Sequence, residues 1–286
     1  MSFFPLPPLV STAWLAERLG DAGIVILDTS WYLPTTGRDA RLEHRAGHIP
    51  DALFFDLDQA SDTSTALPHM LASEVAFAAY AGGLGIGSGT VVVAYDGSGA
   101  NMSAARVWWM LRAYGHQAVA VLDGGMGKWR AEGRPVETGD GRMPGPTVFK
   151  ALLDRTVVRD LDQVRDILTT RSAQVVDLRS DGRFAGTEPE PRPGIPSGHM
   201  PGALNLPYTS LVGPDGTVLP DDELRERITR AGITPDRPIV ATCGSGTSAC
   251  NLLLALQRLG YGTGALYDGS WTEWASRGMP VARSET

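Results

Sequence analysis

The chain has little of what would tie it to a membrane, a nucleic acid or a disulfide framework. Its 286 residues include only two cysteines, Cys243 and Cys250. Two are too few for a disulfide scaffold, and no Cys-x-x-Cys or Cys/His cluster has metal-ligand spacing. Basic residues are in deficit, with 25 Lys and Arg against 32 Asp and Glu and a net charge of −7. That balance argues against nucleic acid or an anionic lipid surface as the main partner. No apolar run approaches the roughly 20 residues of a membrane span. The first ten residues lack a basic stretch and are broken by Pro5, Pro7 and Pro8, so they do not read as a secretory signal. Two thiols without a framework suit a reducing compartment, and a cytoplasmic protein is expected.

What remains is ordinary in composition, 43% hydrophobic and 20% charged, and long enough for two separate cores. The chain also repeats itself. Asp123-Gly124, Trp129, Gly133 and Pro135-Val136 return as Asp268-Gly269, Trp274, Gly278 and Pro280-Val281. Gly47-His48-Ile49-Pro50 returns as Gly198-His199-Met200-Pro201, and Gly97-Ser98-Gly99 as Gly244-Ser245-Gly246. The order is kept and the offset, about half the chain, drifts by only a few residues. A unit that size is far longer than a solenoid repeat and implies two similar domains. The expected division is 1–138, a linker at 139–154 rich in Gly and Pro, and 155–286. His48 and His199 hold equivalent places in both copies, which favours turn anchoring over catalysis.

Within each copy, short β-branched runs alternate with helical patterns. Strands are predicted at 24–28, 90–95 and 118–122, with helices at 103–114 and 127–132. The second half predicts strands at 174–178, 238–242 and 265–267, with helices at 248–259 and 271–277. The pattern predicts an α/β fold, each domain a mainly parallel sheet with helices on both faces. Ligands of such sheets bind beyond the carboxyl ends of the strands.

Cys243 sits at such an end, between the apolar run 238–242 and the helical pattern that follows. Gly244 and Gly246 permit φ > 0, so successive backbone N–H groups can face one concavity. Those groups and the helix N-terminus favour an anion, making the thiolate a nucleophile and a persulfide a tolerable intermediate. In the first copy Asp96 falls opposite Cys243, so one domain is expected to be active and the other to support it. Cys250, about two helical turns on, reads as a packed helix residue.

The ordered set of motifs resembles the two-domain rhodanese-type sulfurtransferases, most closely the 3-mercaptopyruvate group, over nearly the whole chain. It rests on Leu27-Asp28-Thr29-Ser30-Trp31-Tyr32-Leu33-Pro34, Gly47-His48-Ile49-Pro50, Phe54-Phe55-Asp56-Leu57-Asp58, Arg106-Val107-Trp108-Trp109 and Leu122-Asp123-Gly124-Gly125. In the second half it rests on the run from Gly182 to Arg192 and on Cys243-Gly244-Ser245-Gly246. The resemblance implies a tandem pair of rhodanese-like domains and sulfur transfer through a Cys243 persulfide, with no metal or organic cofactor. A small anionic sulfur donor, and a small thiol, cyanide or thioredoxin-like acceptor, are the partners it implies. Cysteine phosphatases of related fold need a loop closing on an arginine, and none occurs in the seven residues after Cys243. Thiosulfate-using members carry basic residues directly after the cysteine; this loop is neutral.

The resemblance also supplies roles. Arg183 and Arg192 correspond to the substrate-carboxylate site, with ion pairing to Glu188 and Glu190 the bland alternative. Gly244, Gly246, Thr247 and Ser248 line the substrate. Ser245, His69 and Asp58 form a hydroxyl–imidazole–carboxylate relay drawn from both halves. Where the family usually continues Val-Thr-Ala, this chain has Thr247-Ser248-Ala249, which adds polarity at 247. The family's aromatic near Met102 is also missing. A thiosulfate sulfurtransferase, or a persulfide carrier that turns over no small donor, are the competing readings.

Overall fold

The runs that read as strands are buried on both sides. Val92, Val93, Ala94 and Tyr95 are all fully buried, as are Val119 to Leu122 and Val240 to Ala241. Successive strand side chains point to opposite faces, so unbroken burial means that both faces of each sheet are covered, as parallel sheets require. The computed structural model describes residues 6–141, 145–262 and 264–284. Residues 1–5 of the expected first domain and 142–144 of the expected linker lie outside the described residues.

In the first half β1 (Leu9–Val10), α1 (Thr12–Ala16), β2 (Ile24–Asp28), α2 (Ala40–Ala46) and β3 (Leu53–Phe54) lead to α3 (Glu74–Gly83). There follow β4 (Val91–Tyr95), α4 (Met102–Ala113), β5 (Val119–Leu122) and α5 (Gly125–Ala131). The second half opens with β6 (Val158–Arg159), α6 (Leu161–Thr170), β7 (Gln174–Asp177), α7 (Asp181–Ala185) and β8 (Leu204–Asn205). It continues through α8 (Asp221–Arg230), β9 (Ile239–Thr242), α9 (Cys250–Arg258), β10 (Ala265–Tyr267) and α10 (Ser270–Ser276).

Each half forms a five-stranded sheet, ordered β1-β5-β4-β2-β3 in one and β6-β10-β9-β7-β8 in the other. Every strand pair is parallel. The two orders are the same, with β4 and β9 in the central place. The duplication read from the motifs is therefore a duplication of topology.

The predicted long strands and helices all appear, shifted by one or two residues at their ends. The two-residue strands β1, β3, β6 and β8 were not predicted, because two residues show no periodicity and their pairing is imposed by neighbours. The cysteine loop runs longer than expected and α9 starts at Cys250. Its entry is a tight turn, with the amides of Cys250, Asn251 and Leu252 each bonded to the carbonyl three residues earlier.

The two compact units are not contiguous in sequence. Residues 64–70 belong with 155–212 and 219–286, while 213–218 belong with the first half. His69 is thus a residue of the second unit.

The paired histidines are anchors in both units. His48 Nδ1 donates to the carbonyl of His44 at 2.8 Å, and the two imidazole rings stack at 4.1 Å. His199 stands 2.9 Å from the carbonyl of Phe184 and stacks on it at 3.9 Å. The backbones of both bridge to the unit's last stretch, at Glu137 and Ala282.

Candidate active site

β9 delivers Cys243 to the carboxyl edge of the second sheet, where it is 2% exposed. The loop behind it is fastened from below. Trp271 and Thr272, at the start of α10, donate their amides to the carbonyls of Cys243 and Gly244 at 2.9 and 3.0 Å. The Thr272 hydroxyl adds a second bond to Gly244 at 2.6 Å. The amide of Cys243 donates to Ser270 Oγ at 3.3 Å. The carbonyls of this loop are therefore turned towards the protein. The amides of Gly244, Ser245, Thr247 and Ser248 have no acceptor among the described residues. Orphaned N–H groups in a buried loop are rare, and four together make a cradle for an anion.

The equivalent loop of the first unit is built differently. Asp96 follows β4 as Cys243 follows β9. Its carboxylate accepts the amide and hydroxyl of Ser98 at 2.8 and 2.5 Å, and the amide of Ala104 and hydroxyl of Ser103 at 2.9 and 3.2 Å. Ser98 Oγ takes the amides of Ala100 and Met102 at 3.1 and 3.2 Å. This loop fills its own anion site.

The glycines of the cysteine loop serve two ends. Gly246 has φ +75°, as Gly99 has +76° in the first unit. Gly244 is not left-handed, contrary to expectation. A Cβ there would lie 3.0 Å from Arg183 Nη2 and 3.7 Å from Arg192 Nη1. Glycine at 244 lets two guanidinium groups approach the backbone beside Cys243.

The arginines are braced unequally. Arg183 forks onto Glu190, with Nε and Nη2 at 3.1 and 2.6 Å from its two oxygens. Glu190, only 3% exposed, also receives Arg179 Nη1 at 2.7 Å. Arg179 is fully buried, clamps Asp177 through Nε and Nη2, and lies over the Trp271 ring at 4.4 Å. The Arg183–Glu190 pair of the bland alternative thus exists, but its carboxylate is buried and its guanidinium side chain only 20% exposed. Glu188 bonds Ser180 instead. Arg192 Nη2 donates to Ser245 Oγ at 3.3 Å.

His69 is 97% buried by its 3% exposure and has a left-handed φ of 61°. Its Nδ1 is 3.0 Å from Ser245 Oγ and 3.0 Å from Thr247 Oγ1. The second unit thus brings together Cys243, Ser245, Thr247, His69, Arg183 and Arg192. Asp58 belongs to the first unit, where it accepts from Trp31 Nε1 at 3.3 Å. Ser248 is 9% exposed in the loop. Cys250 is a fully buried cysteine outside any disulfide, its Sγ donating to the carbonyl of Gly246 at 3.4 Å.

Arg179 and Ser270 escaped sequence reasoning, and Glu190 entered it only as a surface ion-pair partner. The charged run 183–192 carried a signal, but alternating acids and bases read equally well as a solvated face.

Two parallel sheets of one topology, one ending in an open cysteine loop and the other in a loop closed by aspartate, define a duplicated α/β protein. Rhodanese-like domains match residues 11–132 and 160–277, and the chain belongs to the rhodanese-like domain family. It is 46% identical over 277 residues to human 3-mercaptopyruvate sulfurtransferase, covering 95% of this chain and 93% of the relative. It is 44% identical to the mitochondrial thiosulfate/3-mercaptopyruvate sulfurtransferase 1 of Arabidopsis thaliana, covering 98% and 79%. The structure of SseA from Escherichia coli, described among 3-mercaptopyruvate sulfotransferases, superposes with a TM-score of 0.84 at 35% identity, covering 93% of this chain and 99% of that one.

Proposed function

We propose that this sulfurtransferase takes sulfur from 3-mercaptopyruvate onto Cys243 and passes it to a thiol or to cyanide. The observation that carries the reading is the open cradle. Four loop amides beside Cys243 await an anion, whereas three of the matching amides of the first unit, those of Gly97, Ser98 and Ala100, are taken by Ser30, Asp96 and Ser98.

In the first step the Cys243 thiolate attacks the donor's sulfur. The carbon–sulfur bond breaks, its electron pair leaves on the pyruvate enolate, and the donor's thiol proton ends on that carbon. Pyruvate departs and Cys243 holds a persulfide whose negative outer sulfur the loop amides stabilise. In the second step an acceptor thiolate or cyanide attacks the outer sulfur and Cys243 leaves as thiolate. Arg183 and Arg192 grip the 2-oxo carboxylate, and Gly244, Gly246 and Ser248 line its path. Ser245 and His69, with Asp58 as third member, polarise the donor and move its proton. The acceptor is a small thiol or a thioredoxin-like dithiol protein. Both thiols being free supports a reducing, cytoplasmic setting, which cell fractionation checks.

Pyruvate release from 3-mercaptopyruvate and thiocyanate formation from thiosulfate plus cyanide, on wild type and Cys243→Ser, test the reading. Turnover favouring 3-mercaptopyruvate and abolished in the variant is expected. Faster turnover of thiosulfate would make the enzyme a thiosulfate sulfurtransferase, the name borne by a bovine relative 43% identical to this chain.

A further inference from the structure

His69 Nδ1 faces two hydroxyls at the same distance, Ser245 Oγ and Thr247 Oγ1, each 3.0 Å away. A ring nitrogen offers one in-plane position, either a lone pair or an N–H. As a lone pair it takes one full hydrogen bond, so two hydroxyl donors compete for it. Ser245 Oγ already accepts Arg192 Nη2 at 3.3 Å, which leaves its own proton as the group to give. Thr247 is 3% exposed, and a buried hydroxyl is costly unless it is bonded. His69 supplies that bond.

From this geometry we infer that Thr247 is a second hydroxyl on the His69 imidazole, a positioning residue that stands in for Ser245 when Ser245 is turned towards substrate or removed. The inference rests on the sulfur-transfer reading above and deepens it. Two protein hydroxyls and one base make two interchangeable pairs. When the donor arrives and Ser245 swings to it, the nitrogen keeps a partner in Thr247, so His69 holds its orientation and its strained backbone through the cycle.

A double-mutant cycle tests this, with kcat and KM for 3-mercaptopyruvate measured on Ser245→Ala, Thr247→Val and the pair. Each single change is expected to lower kcat by about threefold or less, and the pair by about 10²–10³-fold, well beyond the product of the two and on the scale of a lost acid–base group. KM should stay within about threefold, because uniform donor binding is untouched. In the Ser245→Ala background, Thr247→Ser should retain the activity that Thr247→Val destroys. A purely structural role for Thr247 would not separate serine from valine in kcat alone. The rate of iodoacetamide alkylation at the active cysteine, measured on every variant, registers a collapsed loop independently of turnover.

If Ser245→Ala alone falls as far as the pair, or if the two effects simply multiply, the stand-in role is overturned. It is likewise overturned if His69→Ala leaves kcat unchanged while Cys243→Ser abolishes it, an outcome that keeps the persulfide reading. Pyruvate release surviving Cys243→Ser would bring down that reading and this one with it.

Discussion

At the scale of single residues, Glu190 decides where the positive charge of the site points. It binds the fork of Arg183 with both oxygens and holds Arg179 through one of them. Removing one partner of a buried pair leaves the other uncompensated. Glu190→Ala should therefore cost about 3 kcal/mol in urea denaturation. In the same variant KM for the donor should rise about tenfold, the worth of one charge-assisted hydrogen bond lost to a wandering Arg183. An unchanged KM would mean that Arg183 does not hold the donor. Cys243 was legible because an apolar run ended on it and glycines followed. Glu190 was legible only as a surface ion-pair partner, since a run of alternating charges does not announce burial.

Elements were legible in proportion to their length. β4 and β9 are mostly apolar runs buried at every position but Val91, as the reading expected of central strands. The edge strands β3 and β8 have two residues each and exist only because β2 and β7 offer them a register. The loops after β4 and β9 have one outline and opposite interiors. Asp96 is 1% exposed and satisfies two amides and two hydroxyls. Asp96→Ala should destabilise the protein by about 2–4 kcal/mol, because the donors it leaves behind stay buried. Thermal melting checks this, and a loss below about 0.5 kcal/mol would mean the loop holds its shape without the carboxylate.

For the whole molecule, stability should depend on pH through a residue with no part in the proposed chemistry. His116, 7% exposed near Phe149, is desolvated by burial, which holds its pKa below the ordinary value of 6.5. The unfolded chain then binds a proton that the folded one refuses, in the window between the depressed value and 6.5. Stability from this group is complete above that window and falls as the pH drops through it, by at most about 1.4 kcal/mol per unit. Denaturant midpoints at pH 7.5, 6.5 and 5.5 should show the decline, and His116→Gln should flatten it. An equal slope in the variant would assign the decline to other groups.

The duplicated topology was visible in the motifs, whereas the membership of 64–70 and 213–218 was not. Short segments change allegiance through packing, which leaves no periodic trace. The aspartate inside the first unit's loop bears on how the two copies can drift apart. One loop is closed by its own carboxylate and hydroxyl, while the other is fastened from α10 and leaves amides open. A change in the first is felt as lost protein, and a change in the second as lost turnover. The copies share a topology but not a tolerance for change, and the first is the less free of the two, because side chains of its own unit fill its loop.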